Sequence, residues 1–159
     1  MSPFAVMSTL NIVIGILFLL GAAVFIAIGV SAAVGKLPGN SVVGLRVPEV
    51  RKHESTWVQA HRVVGPFWIL TGFALALGGA FAFISHGWLW VAPVIAFVAA
   101  VVALSVGGNF GARAAALVDE AIEAQDADTA DAQQAPQPQV NLDALRKAAG
   151  KADEQQGGA

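Results

Sequence analysis

The sequence predicts an all-α membrane protein with three transmembrane helices, a cytoplasmic polar loop containing a short interfacial helix, and a disordered C-terminal tail. Three observations carry this. Residues 10–34, 63–84 and 88–108 contain no charged side chain, and at about 1.5 Å of rise per residue each run reaches across the roughly 30 Å hydrocarbon core of a bilayer. The 159-residue chain is 56% hydrophobic and only 13% charged, where a soluble domain carries about a quarter. The charges it does have are segregated: Lys36, Arg46, Arg51, Lys52 and Arg62 lie in the segment 35–62, whereas the region 119–131 is purely acidic in its charges.

In chain order, residues 1–9 form a short N-terminus without Lys or Arg. Residues 10–34 must be helical, because backbone groups in lipid are bonded within their own segment. The run is too long and lacks the basic flank of a cleaved signal, so it is expected to remain as a helix. Residues 63–84 and 88–108 are joined by Ser85, His86 and Gly87 alone, so these two helices form an antiparallel hairpin. Together, residues 10–110 make one three-helix transmembrane domain. Small residues recur along the hairpin at Gly72, Ala76 and Ala80, with Ala74 and Gly78 offset, and at Ala92, Ala96, Ala100, Ala103 and Gly107. Such rows let backbones approach closely; they serve packing within the chain or, alternatively, a homo-oligomer interface. Trp88 and Trp90 suit the aromatic belt at the outer face, and Pro93 falls in a first turn where its missing N–H costs little. Residues 111–125 are good helix formers and extend the third helix into the cytoplasm. From 126 to 159 the chain is rich in Ala, Asp, Gln and Pro, a composition that cannot bury enough apolar surface to order itself. Within it, residues 140–152 are a possible partner-bound helix and otherwise solvated tail.

Orientation follows from the basic residues. The N-terminus and the 85–87 connection have none, whereas the 35–62 loop has five and Arg113 follows the third helix. The positive-inside bias places the loop and C-terminus in the cytoplasm and the N-terminus outside.

The loop is where specific chemistry concentrates. Pro38 and Gly39 are expected to end the first helix, with a positive φ at the glycine. Pro48 keeps Val47 extended. Thr56 with Gln59 three residues on is a capping box that opens a short interfacial helix over about 56–64, on which Trp57 and His61 share a face. Gly65 and Pro66 are expected to interrupt the ladder before the membrane. Arg46 and Asn40 suit an anionic group, such as a lipid phosphate or peptide carboxylate. The other reading makes Arg46 a clamp on helix-end carbonyls, Glu49 or Glu54.

Asn40, then Gly44-x-Arg46-x-Pro48, then Trp57, His61 and Arg62, set between one helix and a hairpin of two more, resemble the SdpI family of bacterial integral membrane proteins, most closely its actinobacterial members. The likeness covers about residues 10–108, with Val47 standing where many relatives have threonine. The family includes an immunity protein that protects a bacterium from a secreted toxic peptide and holds a transcriptional repressor at the membrane. The resemblance thus implies a non-enzymatic protein of the bacterial cell membrane that binds a toxic peptide or a regulator through its loop and hairpin, with the seven loop residues as the binding or structural motif. The alternative is a small accessory subunit of a larger membrane complex, which the small-residue faces and acidic tail would suit.

Other classes are disfavoured. The chain has no cysteine, so disulfides and thiolate metal sites are excluded. His53, Glu54 and His61 lack metal-binding spacing, no nucleophile, base and orienting group are arranged for catalysis, and no ionisable residue lies within a membrane run to serve a pump. No catalytic residue, metal or cofactor is expected. Nucleic acid is not an expected partner, since the basic residues are those that topology requires; membrane lipids are, at about 1 kcal/mol per surface cation.

Overall fold

The computed structural model describes residues 9–40, 42–134, 143, 145–147 and 149–150. Their regular structure is entirely helical: α1 (Thr9–Ala33), α2 (Glu54–Ile84) and α3 (Val91–Gln134), with short 3-10 turns at Pro48–Arg51 and Gly87–Trp90. All three α-helices are long and apolar enough to cross a membrane. Most of their large apolar side chains, among them Leu17, Leu20, Leu70, Leu77, Ile95 and Val98, point outward. Helices exposing this much hydrocarbon need a lipid solvent.

α1 ends one turn earlier than the Pro38 and Gly39 signal suggests. Gly35 takes φ 72°, its N–H donates to Ala32 O at 2.9 Å, and Lys36 N–H donates to Ser31 O at 2.8 Å. This is the Schellman pattern, which satisfies the last carbonyls at a left-handed residue. Gly39 is not in the positive-φ region, because the helix has already been closed by the earlier glycine.

α1 and α2 are antiparallel and meet along a seam with a seven-residue period. Gly15, Ala22 and Gly29 on α1 are buried, as are Gly79, Gly72 and Gly65 on α2. A Cβ added at Gly65 would lie 2.8 Å from Gly29 O, one at Gly72 3.0 Å from Ala22 O, and one at Gly79 3.1 Å from Gly15 O. The two backbones therefore touch, the arrangement by which membrane helices gain dispersion energy without a hydrophobic drive. At the far end Asn11 Nδ2 donates to Ser85 O at 2.7 Å.

α3 packs against α2 and also touches α1. Thr71 Oγ1 lies 2.9 Å from Phe67 O and 3.3 Å from Ala100 O. Along α3, Ala103, Gly107, Gly111 and Ala115 are buried at four-residue spacing; Phe67 covers Gly107, while Val64 and Leu45 cover Gly111. Phe18 of α1 and Phe97 of α3 stack with centroids 6.0 Å apart. Gly72, Gly78, Ala100, Ala103 and Gly107 thus serve packing within the chain, while Ala80 is exposed.

Three expectations are corrected. α2 runs unbroken through Pro66, so there is no separate interfacial helix over 56–64. Pro66 forfeits only one backbone bond, to Arg62, and neighbouring helices make such losses tolerable in membrane spans; Gly65 beside it is a contact point with α1 rather than a break. The capping box does not form either. His53 occupies the N-cap position without a side-chain bond, and Thr56 is turned inward and fully buried. Finally, α3 continues to Gln134 rather than stopping near 125, and Thr129 Oγ1 bonds back to Gln125 O at 2.8 Å. Most of the tail expected to be disordered, 135–159, lies outside the described residues. By compactness the chain divides into a unit ending at Glu123 and a second from Ala124, in which residues 145–147 and 149–150 are helical.

Candidate functional site

The loop between α1 and α2 is laced to the first turns of α2 by the residues the motif singled out. Asn40 works on the loop itself. Its Oδ1 accepts from the N–H groups of Val42 at 3.0 Å and Val43 at 2.6 Å, and its Nδ2 donates to Pro38 O at 2.9 Å. This Asx turn uses both a donor and an acceptor, so an aspartate would not reproduce it.

Trp57 and His61 then hold the loop from α2. They lie one turn apart, which puts them on one face, and their rings stack with centroids 4.0 Å apart; the edge of Trp68 closes the far side of His61 at 5.9 Å. Trp57 Nε1–H donates to Leu37 O at 3.0 Å. His61 Nε2 accepts the N–H of Leu45 at 3.1 Å, and its Nδ1 lies 2.8 Å from Trp57 O. Because Nε2 accepts, the proton sits on Nδ1 and the ring is neutral. Both nitrogens are engaged by backbone groups, and only 1% of the His61 surface is exposed. Gly44 makes the approach possible. It takes φ 128°, and a Cβ there would fall 2.5 Å from His61 Nε2 and 2.8 Å from Trp57 Cη2.

The remaining motif residues differ in use. Pro48 opens the 3-10 turn, where its fixed φ suits the first position. Arg62 lies over Gly35, whose added Cβ would sit 2.6 Å from the guanidinium Nε, placing a cation beside the negative end of the α1 dipole. Arg46 is exposed and makes no ion pair or hydrogen bond among the described residues. The clamp reading of Arg46 thus has no partner among the described residues, where Asn40, Trp57 and His61 tie the loop down.

Sequence reading missed a second tie. Lys52 Nζ lies 2.6 Å from Asp119 Oδ2 and 2.9 Å from Glu123 Oε1, joining the end of the 3-10 turn to α3. The hydrogen bonds from Asp119 first, then Glu123, raise the Lys52 ammonium above the usual lysine range. Asp119 continues the buried small-residue row of α3, and its Oδ1, like Thr56 Oγ1, has no hydrogen-bond partner among the described residues. Val50, Trp57, Ala60 and Ala115 form the apolar cluster beneath this strap. No spacing rule signals a pair 67 residues apart.

Loop, 3-10 turn and α2 enclose an open cleft of about 600 Å³. Leu37, Val50, Trp57 and Val58 give it an apolar floor, and Lys36, Arg51, His53 and Glu54 give it a charged rim. Asn40 and Trp57 are the motif residues that line it; Gly44, Arg46, Pro48, His61 and Arg62 do not.

The family model of the SdpI/YfhL protein family matches residues 36–107. This interval contains the Asx turn, all the cleft-lining residues but Gly35, the Trp57 and His61 brace, the apolar part of α2 and most of that of α3. No curated protein and no solved structure matches the chain. The helical architecture and the braced loop agree with this match, and residues 36–107 are similar to the SdpI/YfhL protein family.

Proposed function

We propose that this chain is a non-enzymatic, multi-pass protein of the bacterial cell membrane that binds a peptide segment, from a toxic peptide or a regulator, in the cleft beside its cytoplasmic loop. The supporting observation is the cleft itself, with its apolar floor, its charged rim and about 600 Å³ of room. The basic loop residues favour the cytoplasmic side for this cleft, which suits a regulator-binding, signalling role better than direct capture of a peptide arriving from outside. A non-enzymatic role fits the commitment of His61 Nε2 and Nδ1 to structural hydrogen bonds.

The test is site-specific photo-crosslinking in living cells at Arg51, on the cleft rim, and at Leu77, on the outward face of α2. A defined peptide or regulator trapped at Arg51 but not at Leu77, together with altered sensitivity of a deletion strain to secreted peptides or altered output of the trapped regulator, is the expected result. Equal labelling at both positions defeats the cleft reading. A large integral partner recovered in fixed stoichiometry at Leu77 alone supports the accessory-subunit reading instead.

A further inference from the structure

On the face of α3 turned away from α2, Ser105, Asn109 and Arg113 stand at successive four-residue steps, and all three are exposed. With Val106 and Phe110 they line a second, shallow groove of about 450 Å³. Phe110 is held in place by stacking on Phe67 of α2, with centroids 5.8 Å apart and planes 11° apart. One wall of the groove is therefore fixed.

The polar groups in this row are satisfied in an order that follows depth. Ser105, deepest in the apolar run, donates its hydroxyl to Val101 O at 2.9 Å and asks nothing of its surroundings. Asn109, one turn nearer the end of the run, and Arg113, one turn further, have no hydrogen-bond or ionic partner among the described residues. An unpaired amide at the edge of hydrocarbon is costly. The two steps are about 6 Å apart along the axis, close to the roughly 5–7 Å thickness of one interfacial layer of a bilayer. The row thus matches a phospholipid read from outside inward: an anionic phosphate at the level of the cation, an ester carbonyl at the level of the amide, and an acyl chain along Val106.

We propose that this groove is a phospholipid site, with Arg113 donating to the phosphate, Asn109 Nδ2 donating to an ester carbonyl, and Val106 and Phe110 flanking the first acyl carbons. The guanidinium supplies bidentate geometry for a phosphate, and the membrane that α1, α2 and α3 require supplies the ligand. The site is independent of the loop cleft.

The full-length chain, purified in mild detergent, is titrated with phosphatidylglycerol and the bound lipid counted by native mass spectrometry. The expected result is one tightly held lipid, with affinity lowered roughly tenfold in the N109L/R113A double variant, the scale of one lost charge-assisted bond. Val106→Trp fills the groove without changing charge and is expected to weaken binding as well, while Arg146→Ala, which removes an equal charge elsewhere, leaves it unchanged. Wild-type affinity in both groove variants overturns the proposal. So does a wild-type dimer that N109L dissociates, because the row is then a contact between two copies of the chain.

Discussion

Replacing Gly65 by alanine tests the backbone seam between α1 and α2 most severely. The new Cβ would lie 2.5 Å from Ala33 N, 2.8 Å from Ala33 Cα and 2.8 Å from Gly29 O, where ordinary contact begins at 3.4 Å. Every obstructing atom is backbone, so no rotamer change relieves the clash and α1 has to retreat by about 1 Å. A gap of that size forfeits a quarter to a half of the dispersion energy of each contact it opens, and overpacking of this kind costs about 1–3 kcal/mol. Alanine returns about 1 kcal/mol through helix propensity; with the backbone clash at the upper end of that range, the net loss is about 2 kcal/mol. At Gly72 the nearest atom is the side-chain Cγ1 of Ile26, with backbone no closer than 3.0 Å, so the loss should be smaller. At Gly79 nothing comes within 3.1 Å, and the two terms should nearly cancel. Gly108 has nothing within 4 Å, and its alanine variant should be neutral or slightly stabilised. The assay is the thermal midpoint of each purified variant in one detergent, followed by tryptophan fluorescence. The expected order of stability is G108A, G79A, G72A, G65A, with G65A lowest by roughly 2–8 °C. If G65A melts with or above G108A, α1 and α2 are not in backbone contact and the seam is wrong.

Other expectations follow from the loop. Gly44→Ala combines a disfavoured φ with a Cβ 2.5 Å from His61 Nε2, so it should release the loop and cost at least about 2 kcal/mol; unchanged protease resistance of residues 36–47 would contradict this. His61→Phe keeps the stacking on Trp57 but strands the Leu45 N–H, at about 1–3 kcal/mol, and should speed cleavage of the same segment, whereas a wild-type rate would show that the Nε2 bond is not needed. For the strap, Lys52→Met leaves the buried Asp119 carboxylate unpaired, so K52M should be less stable than the K52M/D119L double variant, and the reverse order would deny the pairing. Because the two carboxylates raise the Lys52 pKa in the folded state, its contribution is fully present below the usual lysine range and fades only as pH rises beyond it. Stability that wild type loses, and K52M/D119L does not, entirely below the ordinary lysine range would refute that assignment.

The apolar spans are legible because charge is so costly in hydrocarbon that its absence marks both ends of α1 and the C-terminal end of α2 to within a residue. The loop motif was legible as residues but not as roles. By residue type Arg46 suits either an anion or a clamp on helix-end carbonyls, yet it makes no ion pair or hydrogen bond among the described residues, while Asn40, Trp57 and His61 carry the hydrogen bonds. The capping-box pattern at Thr56 yielded to burial, since packing against the chain interior outweighed one capping bond. Gly65 and Pro66 read as a break by rules drawn from helices in water, where a lost backbone bond is not offset by a neighbouring backbone. Four-residue spacing marks the small-residue rows of the hairpin, whereas the tighter seam with α1 repeats every seven residues and does not follow that spacing. Lys52 and Asp119 could not have been paired from spacing, as their meeting depends on the register of α2 against α3.

The seam has a consequence for how such chains can diverge. The family match begins at Lys36, after α1, so the glycine heptad of α2 lies inside it and the complementary row of α1 outside. Gly65, Gly72 and Gly79 accept only a helix that presents Gly, Ala or a residue of similar bulk every second turn. The sequence of that first helix can therefore drift almost without limit in its lipid-facing Leu, Ile, Val and Phe, while Gly15, Ala22 and Gly29 mark the positions where it cannot. A helix that looks like featureless hydrocarbon is in this respect a three-toothed key, cut to fit a lock written in the next long helix of the chain.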